Sequence, residues 1–165
     1  MKTKALVLAL SAVFFGASAF AQIPTGNFSG FVSNNPFVEW CQLNRADVEF
    51  QDVGNNQFQV RWKESGFAQA AGYCEIIHDA SFTPSGRPNE WDVSFYSDFD
   101  LAFGKAVLNG NRLEVTGNYN GVHTSYIRFY TKFDFNTDHK QVNYQRRIET
   151  WSGPTLFANG NLFQY

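Results

Sequence analysis

The sequence is poor in the features that identify most functional classes. It has two cysteines and three histidines in 165 residues. Two cysteines can close at most one bridge, which excludes a disulfide-stapled miniprotein. The histidines His78, His123 and His139 fall on three separate segments, without the i, i+2 or i, i+4 spacing that makes a metal site legible, so no metal and no cofactor is expected. Long apolar runs are also missing. The longest, Ala5 to Phe15, is too short to cross a bilayer as a helix. Charged residues make up only 17% of the chain, with a net charge of −2. The nearest thing to a basic cluster, Lys140 with Arg146 and Arg147, is too sparse for phosphate contacts to hold a nucleic acid.

Enzyme signatures are equally thin. A catalytic site needs a nucleophile with a base, paired carboxylates or a metal, and no such constellation is present. Asp92, Asp98 and Asp100 lie on the polar parity of a strand, where solvated carboxylates belong. Asp134-Phe135-Asn136-Thr137-Asp138 begins like a calcium loop. It then has His139 where the loop needs glycine and Gln145 where it needs the bidentate glutamate, so a hairpin turn accounts for it. The expectation is a non-enzymatic protein.

What the chain does contain is a leader pattern, a two-residue rhythm and many aromatic residues. Lys2 and Lys4 precede the apolar run, and Ala19 and Ala21 fit a small-residue cleavage site. Residues 1–21 are therefore expected to be a secretory signal peptide of bacterial type, with 22–165 a single exported domain, periplasmic or extracellular. Removing Lys2 and Lys4 leaves that domain more acidic than the whole chain. In an oxidising compartment Cys41 and Cys74 are expected to form one disulfide.

Alternation is clearest in Trp91, Val93, Phe95, Ser97, Phe99, Leu101 and Phe103, set against Asp92, Ser94, Tyr96, Asp98, Asp100 and Ala102. It recurs in Phe58, Val60 and Trp62, in Cys74, Ile76, His78, Ala80 and Phe82, and in Ile127, Phe129, Thr131, Phe133 and Phe135. The strands are expected at 26–32, 46–52, 56–63, 73–82, 90–97, 98–108, 111–119, 124–135, 140–151 and 155–164. Turn signals are Gly54-Asn55-Asn56, Pro84 to Asn89, Asn109-Gly110-Asn111, Asn120-Gly121, Asn136-Thr137-Asp138 and Asn159-Gly160-Asn161. Segments 36–44 and 66–72 could each form a short helical turn. Hairpin-length connections without crossover helices predict an all-β, antiparallel up-and-down meander, closing into a barrel of about eight strands, with a two-sheet β-sandwich as the alternative.

Gly26-Asn27-Phe28 at the start of the first strand resembles the Gly-x-Trp opening of lipocalin-like (calycin) barrels, with Phe28 in place of tryptophan. The resemblance implies a meander barrel around a cavity for a small molecule.

Two functions from different classes fit the alternation. In the first, the apolar parity faces inward and a small hydrophobic ligand or an envelope partner is bound; Trp62, Trp91, Phe95, Phe103 and Phe129 then line the cavity wall, and His78 is a polar anchor. In the second, the apolar parity faces lipid and the chain is a small eight-stranded outer-membrane barrel, the only reading that involves a membrane. The carboxyl end, with Phe157, Phe163 and Tyr165, resembles the terminal strand of such proteins. Arg146, among Val142, Tyr144, Ile148 and Thr150, conflicts with it, since lipid penalises a midplane arginine by roughly 2 to 4 kcal/mol.

Overall fold

The computed structural model describes residues 22–34, 41–68, 71–97, 101–121, 127–150 and 153–165. The expected leader, 1–21, lies outside them, as do His123, Asp98 and Asp100.

Ten strands run in chain order among the described residues: β1 Gly26–Asn34, β2 Gln42–Gly54, β3 Gln57–Phe67, β4 Cys74–Pro84, β5 Glu90–Ser97, β6 Leu101–Asn109, β7 Arg112–Tyr119, β8 Arg128–Phe135, β9 Gln141–Thr150 and β10 Gly153–Gln164. Each pairs antiparallel with its sequence neighbours, and β1 pairs with β10, so the meander closes into a barrel. This agrees with the lipocalin-like resemblance at the level of a closed antiparallel barrel. The sandwich alternative is not adopted.

The number of strands corrects the expected eight. All ten alternating segments enter the ladder, including the two terminal ones that pair with each other. A wider ring follows, because barrel diameter grows with strand number. That width suits an interior containing Trp62, Trp91, Phe28, Phe58, Phe82, Phe95 and Phe133, all fully buried.

Turn chemistry closes one end. Asn55 and Asn56 take positive φ between β2 and β3, Asn89 does so before β5, Gly110 between β6 and β7, and His139 between β8 and β9. The supposed calcium segment is the last of these turns: Asn136 N–H donates to Gln141 O, and Asn136 Oδ1 accepts from Gln141 N–H. Asp134 pairs with Arg112 and Lys132 across the outer face. Asn159-Gly160-Asn161, by contrast, runs on inside β10. A Cβ at Gly160 would sit 2.2 Å from Phe31 O, so its glycine serves the close approach of β1.

Both segments expected as short helical turns are only partly among the described residues. Residues 42–44 belong to β2, and 35–40 lie outside the described residues. Gly66 and Phe67 extend β3, and beyond them Gly72 N–H donates to Ala68 O at 2.8 Å, with 69–70 outside the described residues.

At the opposite end from the tight turns, Cys41 and Cys74 are joined by a disulfide with Cα atoms 5.8 Å apart. It ties the residue before β2 to the start of β4, bracing a three-strand block. A bond of this kind fits a non-reducing, exported setting.

The two faces of the sheet differ sharply. Inside are the apolar parities of most strands; β6 is apolar on both, with Phe103 and Val107 on the outer face. Outside, ion pairs such as Arg61–Asp79, Lys105–Glu90, Arg112–Asp134 and Arg147–Glu149 are spread around the wall.

One parity expectation is overturned. Phe103 is 50% exposed on the outer face, while Ala102 is fully buried. The hairpin pairs Phe95 with Ala102 and Ser94 with Phe103. Because paired residues share a face and the paired numbers sum to an odd value, the inward parity switches from odd on β5 to even on β6.

Candidate functional site

The inner wall is uneven in a way that positions a site. On β6 and β7 it carries Ala102, Gly104, Ala106, Val115 and Gly117, while β5 and β8 present Phe95 and Phe129. Small residues on one stretch leave space for large rings from its neighbours. Phe129 is the cross-strand partner of Gly117, and a Cβ there would lie 2.5 Å from the tip of the Phe129 ring. Phe95 and Phe129 meet edge to face at 4.5 Å.

Trp62 on β3 and His78 on β4 are also cross-strand partners, and their rings stack at 4.9 Å with a 21° tilt. Phe95 touches both, at 5.5 Å from Trp62 and 5.8 Å from His78. Four of the expected cavity-wall residues, Trp62, His78, Phe95 and Phe129, therefore form one continuous cluster. Trp91 is buried but lies nearer the turn end, where it packs on Phe58 and donates its indole N–H to Asn56 O at 2.7 Å. Phe103 is outside the barrel and belongs to no inner wall.

Sequence reasoning missed the charged centre of this cluster. Glu64 on β3 and Arg146 on β9 are both buried, at 0% and 1% exposure, and form an ion pair across the barrel interior. Tyr144 on β9 donates its hydroxyl to the other carboxylate oxygen, Glu64 Oε1, at 2.8 Å. Glu64 is flanked by Ala46 and Ile76 on the neighbouring strands, and Arg146 by Ala158 and Thr131.

Burial and charge shape the titration of these groups. Burial opposes the charge on Arg146, but Glu64 and Tyr144 outweigh it and hold the guanidinium above its ordinary pKa. Burial, reinforced by the carboxylate of Glu64, pushes the Tyr144 phenol well above its usual value, so it stays a donor. His78 is driven well below the ordinary histidine value, first by burial and then by the positive charge of Arg146. It is a neutral imidazole at physiological pH.

Several polar atoms here are buried without a hydrogen-bond partner among the described residues: Trp62 Nε1, both ring nitrogens of His78, Thr131 Oγ1, and Arg146 Nε and Nη1. Buried polar groups are ordinarily satisfied, each lapse costing about 1 to 3 kcal/mol. The unpartnered atoms are concentrated in one layer, between aromatic rings. Comparison with protein-family models and with curated proteins gives no match for this chain. No group of three or more potential metal ligands occurs among the described residues.

Proposed function

We propose that this chain is an exported, water-soluble, non-enzymatic β-barrel that binds a small, largely apolar molecule in its interior, beside Trp62, His78, Phe95, Phe129 and Arg146. The observation that carries this reading is the layer of buried, unpartnered polar atoms enclosed by aromatic side chains. The non-enzymatic part rests on chemistry: the buried carboxylate is engaged by Arg146 and Tyr144, and His78 has no facing nucleophile among its ring contacts.

The outer-membrane reading draws support from the exposed aromatics Phe31, Phe163 and Tyr165 on β1 and the terminal segment. The outer wall argues for water instead. Arg61, Lys63, Lys132 and Arg147 project from strand bodies on that face, and lipid would penalise each cation near the midplane by roughly 2 to 4 kcal/mol.

Native mass spectrometry of protein purified from cells without detergent tests the proposal. A co-purifying small organic mass that is lost on denaturation is expected. Protein that requires detergent and shows heat-modifiable migration would replace this reading with the membrane one.

A further inference from the structure

The interior cluster is rich in donors and electrically neutral. Arg146 Nε and Nη1 and Trp62 Nε1 can only donate, and all three lack partners. Thr131 and neutral His78 can donate or accept. Glu64, the acceptor-only member, already receives Tyr144 and Arg146. The unmet capacity is thus mostly N–H and O–H seeking acceptors. Charge sets a second condition: Arg146 and Glu64 cancel each other. A ligand carboxylate would introduce an uncompensated buried charge beside Glu64, at a large desolvation cost, whereas a neutral acceptor would not.

Resting on the interior-binding reading above, we infer that the ligand class is a neutral, flat or apolar molecule carrying a carbonyl-type acceptor, with that oxygen directed to Arg146 and Thr131 and its apolar body against Trp62, Phe95 and Phe129. Thr131 and Arg146 are cross-strand partners on the inner face, so one oxygen can face both.

Three probes of nearly equal size separate the possibilities: acetophenone, which is neutral with a carbonyl; benzoate, which is anionic; and ethylbenzene, which has no acceptor. Each is titrated into the purified protein while the Trp62 indole N–H and the Arg146 Nε–H resonances are followed by NMR. Acetophenone is expected to shift both and to bind ~10-fold more tightly than either of the others, the factor that one net hydrogen bond of about 1.4 kcal/mol supplies. Thr131→Val, which keeps the shape of the wall, and Trp62→Phe, which removes the indole N–H with part of the ring, are each expected to weaken acetophenone several-fold, and Thr131→Val to leave ethylbenzene unchanged. The double variant Glu64→Gln/Arg146→Met should reduce acetophenone to the level of ethylbenzene; should it fail to fold, the two single variants decide.

Benzoate binding as tightly as acetophenone, or tighter, would overturn the neutral-acceptor inference while leaving interior binding intact. Ethylbenzene matching acetophenone would do the same. If no probe shifts either resonance up to its solubility limit, the polar layer is satisfied by internal water, and both the inference and the interior-binding reading fall.

Discussion

Tyr144 and Glu64, 80 positions apart in sequence, meet inside the barrel through a 2.8 Å hydrogen bond from the phenol to Glu64 Oε1, the carboxylate oxygen other than the one paired with Arg146. The phenol and the guanidinium thus engage the two oxygens of one buried carboxylate, while Arg146 Nε and Nη1 keep no partner among the described residues. Such a pair contributes little net stability against an apolar replacement, but breaking it exposes the remaining charge.

Arg146→Met should accordingly destabilise the fold by about 3 to 5 kcal/mol, because Glu64 is left buried without its partner. Adding Glu64→Gln should restore much of the loss. Urea unfolding of the single and double variants measures both values, and a double variant no better than Arg146→Met would mean the two charges are not coupled.

Reduction of the Cys41–Cys74 bond reopens a loop spanning 33 residues. In the chain-entropy treatment that costs about 3 to 4 kcal/mol. The melting temperature should fall by roughly 10 °C, taking about 3 °C per kcal/mol for a domain of this size. Calorimetry with and without reductant, the thiols alkylated after reduction, provides the comparison.

Phe95 and Phe103 provide a direct test of the parity switch. Phe95→Asp places a carboxylate among Trp62, His78 and Phe129, with a loss of several kcal/mol expected. Phe103→Asp changes a side chain on the outer face and should stay within about 0.5 kcal/mol of the parent. Equal effects in thermal denaturation would refute the inward and outward assignments.

Much of this architecture is legible in the residues themselves. The odd-numbered faces of β5 and β8 and the even-numbered faces of β3 and β4 read correctly, because a half-buried strand imposes a period of two. Carried on through β6, the periodicity of β5 fails: parity survives along a strand but not through a hairpin, whose register decides the new phase. The charged centre was hidden for a related reason. Glu64 continues the inward series Phe58, Val60, Trp62, and Arg146 interrupts Val142, Tyr144, Ile148, so each stands out as a charge on an apolar face. Their pairing depends on β3 and β9 facing each other across the closed ring, a relation that exists only after closure. The same is true of the donor surplus, since satisfaction of a polar group is a property of its neighbours.

Gly117→Ala should destabilise the barrel by overpacking. Its Cβ would fall 2.1 Å from Phe103 O and 2.5 Å from the Phe129 ring, so both the β6 backbone and an aromatic side chain must shift. Overpacking of this kind typically costs about 1 to 3 kcal/mol. Chemical denaturation measures the loss, and a ring-current change at Phe129 in the NMR spectrum should accompany it. An unshifted Phe129 spectrum together with unchanged stability would place Phe129 away from this glycine.

The buried imidazole of His78 makes the fold sensitive to mild acid. Its folded pKa lies well below 6.5, through burial and the charge of Arg146, while in the unfolded chain it titrates near that ordinary value. Below about pH 6.5 the unfolded state therefore binds a proton that the folded state refuses, and stability falls as the pH drops. The loss is about 1.4 kcal/mol per pH unit and continues until the folded pKa is reached; above pH 6.5 His78 adds no pH dependence. His78→Phe keeps a ring stacked on Trp62 and removes the titration. Urea unfolding of both proteins between pH 5 and 8 should give parallel behaviour in the upper half of that range and a steeper decline of the parent below pH 6.5. His139 and His123 are common to both chains, so the difference between the two curves isolates His78. Curves that remain parallel down to pH 5 would mean that the imidazole accepts a proton within the fold and is not sealed in the layer with Arg146.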